Sequence, residues 1–172
     1  MSRTSVRARL RAATVTAALS GGLVLSAAGI AAPAAHAATT TSSAPSAAQV
    51  RAAKINKVMT WAKREKGKPY RYGAAGPSSF DCSGFTMYVF RHALGKHLAH
   101  NAESQYRSVR HISRRSLRPG DLVFASSGGS GSIYHVGIYA GNGYFWHAPH
   151  SGTVVKKAKM YSAHWYYGRI IH

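Results

Sequence analysis

The spacing of apolar residues changes along this chain from a helical period to a strand period, close to Ser113. Before this point apolar residues recur every three or four positions, which is typical of helices that bury one face. After it, short apolar runs alternate with Gly, Pro and Asn, which is typical of strands joined by tight turns. The order predicts an α+β domain in which N-terminal helices pack against an antiparallel β-sheet.

Three helices are predicted in the first part, at residues 46–66, 82–94 and 102–109. Each starts at or just after a residue that commonly caps a helix N-terminus. These residues are Ser46, Asp81 and Asn101.

The second part is predicted to consist of strands. A turn at residues 117–121 leads into a strand at 122–125, and a Gly/Ser loop follows. Residues 133–140 and 144–149 flank Gly141-Asn142-Gly143 and are predicted to form a hairpin. Further strands are predicted at residues 153–157 and 166–171.

The first 37 residues have the composition of a secretory signal peptide. Arginines precede an apolar run at residues 12–32, and Ala35-His36-Ala37 forms a cleavage site. Residues 38–45 are rich in Thr, Ser and Ala and are predicted to be a flexible leader, so the folded domain is expected at 46–172. We therefore expect a secreted, extracellular or wall-associated protein without an integral membrane segment in the mature chain.

The chain is strongly basic, with 23 Lys and Arg against four Asp and Glu. Four of the basic residues and none of the acidic ones lie in the predicted signal peptide, so the mature net charge is about +15. Outside a cell such a surface would meet anionic wall polymers, peptide carboxylates and membrane surfaces rather than nucleic acid. The alternative is a solvated surface that merely keeps molecules apart.

Cys82 is the one cysteine of the chain, so no intramolecular disulfide can form and the fold must rely on an apolar core. It occupies the first turn of the second predicted helix, where the helix dipole and free backbone N–H groups favour a thiolate. We expect a partly exposed, activated thiol. The alternative is a buried, inert cysteine.

Two histidines lie on the arms of the predicted hairpin. Because side chains alternate along a strand, His135 and His147 share a face when the loop has an odd number of residues, as Gly141-Asn142-Gly143 does. His147 could then bond one nitrogen of His135 and leave the other for Cys82, as in a catalytic triad.

Alternatively, His135 is an ordinary strand histidine and His147 is a member of an aromatic cluster. A zinc site formed by both with another histidine or Asp121 is less favoured, since no H-E-x-x-H motif or Cys/His ligand pair is present. The other mature histidines lack a comparable partner. They are His92, His97, His100, His111, His150, His164 and His172.

Several motifs occur in an order that resembles one known family. They are Tyr70-Arg71-Tyr72-Gly73, Asp81-Cys82-Ser83-Gly84-Phe85, residues 117–124, His135-Val136-Gly137-Ile138-Tyr139 and His147-Ala148-Pro149. Over about residues 54–171 the chain resembles the NlpC family of bacterial cell-wall cysteine endopeptidases, which have a compact papain-like fold.

The resemblance implies Cys82 as nucleophile, His135 as base and His147 as the polar residue that orients the base. It also implies that Tyr70 lines the site and helps the Cys82 backbone N–H hold an oxyanion. Asp81 and Ser83 would then lie where the amine of a stem peptide can bind. The chain departs from the family at Ala74, where relatives often have a second glycine.

The function implied is hydrolysis of peptide bonds in peptidoglycan stem peptides, usually between D-Glu and the following diamino acid. The resemblance implies no metal or organic cofactor, and we expect a monomer. One alternative is an amidase or acyltransferase that uses the same Cys-His machinery. The other is a non-catalytic, cationic wall-binding protein.

Overall fold

The computed structural model describes residues 44–129, 131–162 and 164–172. The predicted signal peptide and most of the predicted leader lie outside the described residues. Three helices come first: α1 (Ala47–Arg64), α2 (Cys82–Leu94) and α3 (Ala102–Ser108). The strands are β1 (Arg110–His111), β2 (Leu122–Ser126), β3 (Ile133–Gly141), β4 (Tyr144–His147), β5 (Lys156–Lys159) and β6 (Trp165–Arg169). The predicted α+β class is confirmed.

Each helix begins directly after the capping residue that was predicted for it. The Ser46 hydroxyl accepts a hydrogen bond from the Gln49 N–H, and the Gln49 side chain accepts one from the Ser46 N–H in return. The side chains of Asp81 and Asn101 cap α2 and α3, each by accepting a hydrogen bond from the N–H three residues on, without the reciprocal bond. Helix α2 ends at Gly95, whose φ of 65° suits glycine.

The six strands form one antiparallel sheet in the order β1-β6-β2-β3-β4-β5. Strand β2 lies between β6 and β3 in the interior of the sheet, and all five of its residues are buried. The edge strand β5 carries exposed lysines, which discourage pairing with another chain.

The last part of the sheet differs from the prediction. Strand β5 begins at Lys156 rather than Thr153, because the Thr153 N–H bonds to His150 O in a turn and Val155 pairs with Lys68. The two-residue strand β1 and a short 3₁₀ helix at Arg114–Ser116 were not predicted, since segments this short carry no hydrophobic period.

The core lies between the helices and the sheet. Helix α2 packs against β3, α1 packs against α2, and α3 packs against β3. The fully buried aromatic residues are Phe80, Phe85, Phe90, Phe124 and Phe145. Val50, which the helical period assigns to the buried face of α1, is instead 38% exposed. Within the described ranges, no helix combines the length and the apolar character needed to cross a membrane.

Candidate active site

Cys82 is the first residue of α2, and α2 packs against β3. Its side chain is partly exposed, as expected. The backbone N–H groups of Val136 on β3, of Ser83 and of Cys82 itself lie near enough to the thiol to lower its pKa. The fold therefore brings the start of α2 against the part of β3 that carries His135.

The expected lowering of the Cys82 pKa is wrong. Burial raises the pKa of the Cys82 thiol, the Asp81 carboxylate raises it further, and the three backbone N–H groups only offset part of this effect. The position of Cys82 at a helix N-terminus makes it the candidate nucleophile, but its surroundings favour the protonated thiol at rest.

His135 on β3 and His147 on β4 form a pair. Nε2 of His135 lies 2.8 Å from Nδ1 of His147, within hydrogen-bond distance. In the hairpin register Ile138 faces Trp146, so His147 lies opposite Gly137 and diagonal to His135. The predicted three-residue loop is wrong, because Gly141 pairs with Tyr144 and leaves a two-residue turn; a β-bulge between Tyr139 and Gly141 supplies the extra residue that keeps both histidines on one face. Nδ1 is then the ring nitrogen of His135 that remains for another partner.

Both rings are buried, with exposures of 4% for His135 and 2% for His147. Burial lowers the pKa of His135 to about 4, and burial together with the nearby His135 lowers the pKa of His147 to about 3. The pair is therefore neutral at neutral pH. Nε2 of His147 is buried and has no hydrogen-bond partner among the described residues.

Asp81 accepts four hydrogen bonds. Its Oδ1 accepts from the Gly84 N–H at 2.7 Å and from the Ser83 hydroxyl at 3.0 Å. Its Oδ2 accepts from the Gly73 N–H at 2.9 Å and lies 2.8 Å from Nε2 of His100. His100, which the sequence did not pair with any residue, therefore has a hydrogen-bond partner in Asp81.

An open cleft of about 320 Å³ lies on the exposed side of Cys82. The predicted residues Tyr70, Asp81 and Ser83 all line it, and so do His100 and Tyr134, for which the sequence offered no sign of a role. Burial raises the pKa of Tyr70, and so do Cys82 and Asp81, which is consistent with a phenol close to both. His135 and His147 are buried and are not among the residues that line the cleft.

Two glycines make the close contacts of the site possible. A Cβ at Gly84 would lie 2.2 Å from the carbonyl oxygen of Ala74, so the loop that carries Tyr70 packs against the first turn of α2. A Cβ at Gly137 would lie 2.4 Å from the ring of Phe145, next to the histidine pair. Ala74 itself fits its turn, and its carbonyl accepts the Asp81 N–H at 2.8 Å.

Tyr161 is a further neighbour that sequence reasoning missed. Its ring centroid lies 6.4 Å from that of His135 and 6.1 Å from that of His147. Burial, and then the proximity of Tyr134 and Cys82, raise the pKa of Tyr161 to about 12. Tyr161 belongs to none of the motifs of the site, so only the folded chain reveals this proximity.

Among the described residues, no group of three or more His, Cys, Asp or Glu side chains is close enough to hold a metal ion. Asp121, the candidate ligand named above, is paired with Arg169, whose Nε and Nη2 donate to its carboxylate at 2.8 and 2.7 Å. Its role is to connect the start of β2 to β6.

Comparisons with family models and with known proteins all point to one family. The model of the NlpC/P60 family matches residues 67–171. Probable endopeptidase p60 of Listeria grayi is 48% identical over 94 residues, which are 55% of this chain and 18% of that protein. Murein DD-endopeptidase MepH of Escherichia coli (strain K12) is 35% identical over 114 residues, covering 64% of this chain and 41% of that protein. The chain thus spans less than half the length of these two relatives.

Solved structures agree. The crystal structure of the NlpC/p60 domain of peptidoglycan hydrolase SagA has a TM-score of 0.62 and 32% sequence identity, and the match covers 67% of this chain and 98% of that one. The papain-like α+β fold expected from the motifs is therefore confirmed. Because the matched region takes in more than half of the chain, including Cys82, His135 and His147, the chain belongs to the NlpC/P60 family.

Proposed function

We propose that this protein is a secreted cysteine endopeptidase that hydrolyses peptide bonds in the stem peptides of peptidoglycan. The observation that carries the proposal is the arrangement of three side chains. Cys82 begins α2 next to β3, and His135 on β3 is bonded at 2.8 Å to His147 on β4. A nucleophile, a base and a group that orients the base are the parts that thiol hydrolysis requires.

The protonation states favour general-base catalysis from a neutral pair. With the Cys82 pKa raised and the His135 pKa lowered to about 4, the resting site holds a thiol and a neutral imidazole. For Nδ1 of His135 to accept the thiol proton, its Nε2 must carry hydrogen and donate to Nδ1 of His147. His147 then carries its own hydrogen on Nε2 and fixes both the tautomer and the orientation of His135.

In the reaction, His135 takes the proton as the sulfur of Cys82 bonds to the scissile carbonyl carbon. The carbon–nitrogen bond then breaks, and the proton moves from His135 to the departing amine, which leaves a thioester. Water loses a proton to His135 as it attacks the thioester, the carbon–sulfur bond breaks, and the thiol regains its proton. The Cys82 N–H and the Tyr70 hydroxyl are the proposed donors to the oxyanion.

The substrate follows from the family and the relatives. Their names include an endopeptidase, a murein endopeptidase and a peptidoglycan hydrolase, which supports a peptidoglycan substrate here. We propose that the bond cut joins D-Glu to the following diamino acid, that Asp81 and Ser83 shape the substrate side of the cleft, and that the protein acts as a monomer. The predicted signal peptide supports action outside the cell.

The test is digestion of purified sacculi, with the released fragments identified by mass spectrometry and the Cys82→Ala variant as control. Free peptides that begin with the diamino acid, absent from the control, are the expected result, because the part of the stem peptide that ends in D-Glu stays attached to the glycan. A transferred acyl group or a cut at the glycan–peptide amide would favour the alternative enzyme classes. Binding to sacculi without any release would indicate a non-catalytic wall protein.

A further inference from the structure

Asp81 is the one acidic side chain among the described residues that line the cleft. It is 6% exposed, so a positively charged group of a ligand in the cleft has this carboxylate as its nearest formal counter-charge. The family resemblance places the amine of a stem peptide at this edge. Whether an amine can bind there depends on which lone pairs of the carboxylate are free.

The carboxylate is already saturated within the protein. An ionised carboxylate offers about four lone-pair positions, and Asp81 accepts four hydrogen bonds at 2.7–3.0 Å. Two come from backbone N–H groups and one from the neighbouring Ser83, and these hold α2 and the loop at Gly73 in place. The fourth hydrogen bond comes from His100, which lines the cleft and occupies Oδ2 on that side.

His100 is held in this position by its neighbours. The preceding carbonyl, Ala99 O, accepts a hydrogen bond at 2.7 Å from Nε2 of Gln105, which is fully buried. Gln105 also donates to Ser83 O at 3.0 Å and accepts from the Thr86 hydroxyl at 2.8 Å. The residue after His100, Asn101, caps α3. The imidazole is therefore fixed against Asp81 by two anchors on either side of it.

We propose that His100 is a specificity-determining residue that occupies the position a free α-ammonium group would need at Asp81. This inference rests on the proposed function and narrows its substrate class. The cleft does not discriminate in favour of a free peptide amine. It accepts stem peptides whose N-terminal nitrogen is acylated, as it is while the peptide is attached to the glycan, at least as well as released peptides.

The experiment measures binding in the Cys82→Ala background, so that no ligand is consumed. Two synthetic stem peptides that differ only in acetylation of the N-terminal amine are titrated calorimetrically. With His100 present, the two dissociation constants should agree within about threefold, because no charge-assisted hydrogen bond to the amine is available. Adding His100→Ala frees Oδ2 and should shift the ratio about tenfold or more toward the free amine.

Two further variants separate recognition from loop structure. His100→Gln keeps an N–H donor for Asp81 and should keep the ratio near one. His97→Ala, an exposed histidine in the same loop, is the matched control and should also leave the ratio near one. If the protein with His100 intact already prefers the free amine tenfold, the proposal is overturned by that measurement alone. An unchanged ratio in a folded His100→Ala protein would overturn it as well.

Failure of the proposed function gives a different pattern. If the wild-type protein cuts neither peptide but the binding ratios follow the expectation, the peptidase proposal fails and the role of His100 stands. If neither peptide binds at all, the cleft does not receive stem peptides and the role of His100 is overturned as well.

Discussion

At the scale of single residues, the neighbours of a group decide its chemistry more than its position in a helix does. Cys82 occupies the helix N-terminus that favours a thiolate, yet partial burial and the adjacent Asp81 carboxylate raise its pKa. Asp81 is required as the cap of α2, so its charge near the thiol is a consequence of building the site at this helix start.

Removing the charge of Asp81 should activate Cys82. Asp81→Asn keeps an oxygen for the Gly84 N–H but no negative charge, so the Cys82 pKa should fall and alkylation by iodoacetamide at neutral pH should become severalfold faster. Both proteins should react alike in denaturant, where the environment is lost. An unchanged rate in the folded variant would show that Asp81 does not control the thiol.

The three proposed catalytic residues should differ in how they respond to substitution. Cys82→Ala should abolish turnover, and His135→Ala should reduce it by roughly 10²- to 10⁴-fold, the usual contribution of a general base. His147→Asn and His147→Gln keep a hydrogen-bonding group and should retain more activity than His147→Ala. Initial rates on sacculi for folded variants decide this, and a fully active His147→Ala protein would refute the pairing with His135.

The buried histidine pair should make the protein less stable in mild acid. Burial holds the pKa of His135 near 4 and that of His147 near 3, whereas the unfolded chain takes up protons near the ordinary value of 6.5. As the pH falls below 6.5 the unfolded state therefore binds more protons, and stability is lost toward pH 4.

For His135 alone the loss between pH 7 and pH 5 is about 2 kcal/mol. Urea unfolding at the two pH values measures it. The difference between them should shrink in His147→Asn, which removes one of the two titrating rings. Equal midpoints for the wild-type protein at both pH values would contradict the assignment.

At the scale of elements, α2 is the centre of the site. Its cap is Asp81, its first residue is Cys82, and its third residue, Gly84, allows the loop bearing Tyr70 to contact it. Glycine inside a helix costs about 1 kcal/mol relative to alanine, so its presence here is explained by the close contact with Ala74.

Gly84→Ala should therefore destabilise the protein although alanine is the better helix former. The added Cβ would lie 2.2 Å from a backbone oxygen that cannot easily move. Overpacking of this kind costs typically 1–3 kcal/mol or more, which outweighs the gain of about 1 kcal/mol in helix propensity. Gly129→Ala, where a Cβ meets nothing within 4 Å, serves as control in the same thermal unfolding measurement. A higher melting temperature for Gly84→Ala would refute the packing argument.

At the scale of the whole molecule, charge is the dominant property. The sequence has a net charge of +19, and exposed basic residues such as Lys54 and Lys57 follow one another along α1. If this surface holds the protein on anionic wall polymers, binding of the Cys82→Ala variant to sacculi should weaken steeply as salt rises from about 0.05 to about 0.5 M, since the Debye length falls to a few ångströms. Pelleting assays measure the bound fraction. Binding that is insensitive to salt would leave the basic surface without a role in attachment.

Much of the fold was predictable because its signals are local. Helix caps and the stop at Gly95 depend on residues a few positions apart, and α2 lies where these signals predict it. The shared face of His135 and His147 was predicted, but for the wrong reason: a β-bulge in β3 sets it, not a three-residue loop. Strand β1 and the start of β5 were not predictable, because pairing with distant strands and turns determines them.

The sequence by itself determined the helix order, the identity of the nucleophile candidate and the family motifs, all of which depend on short spacings. Only the tertiary structure decided the electrostatics of the site and which residues outside the motifs belong to it. The raised pKa of Cys82, the closure of Asp81 by His100 and the approach of Tyr161 to the histidine pair arise from burial and from contacts between distant segments. Burial and distance are properties of the folded chain, so no local pattern in the sequence encodes them.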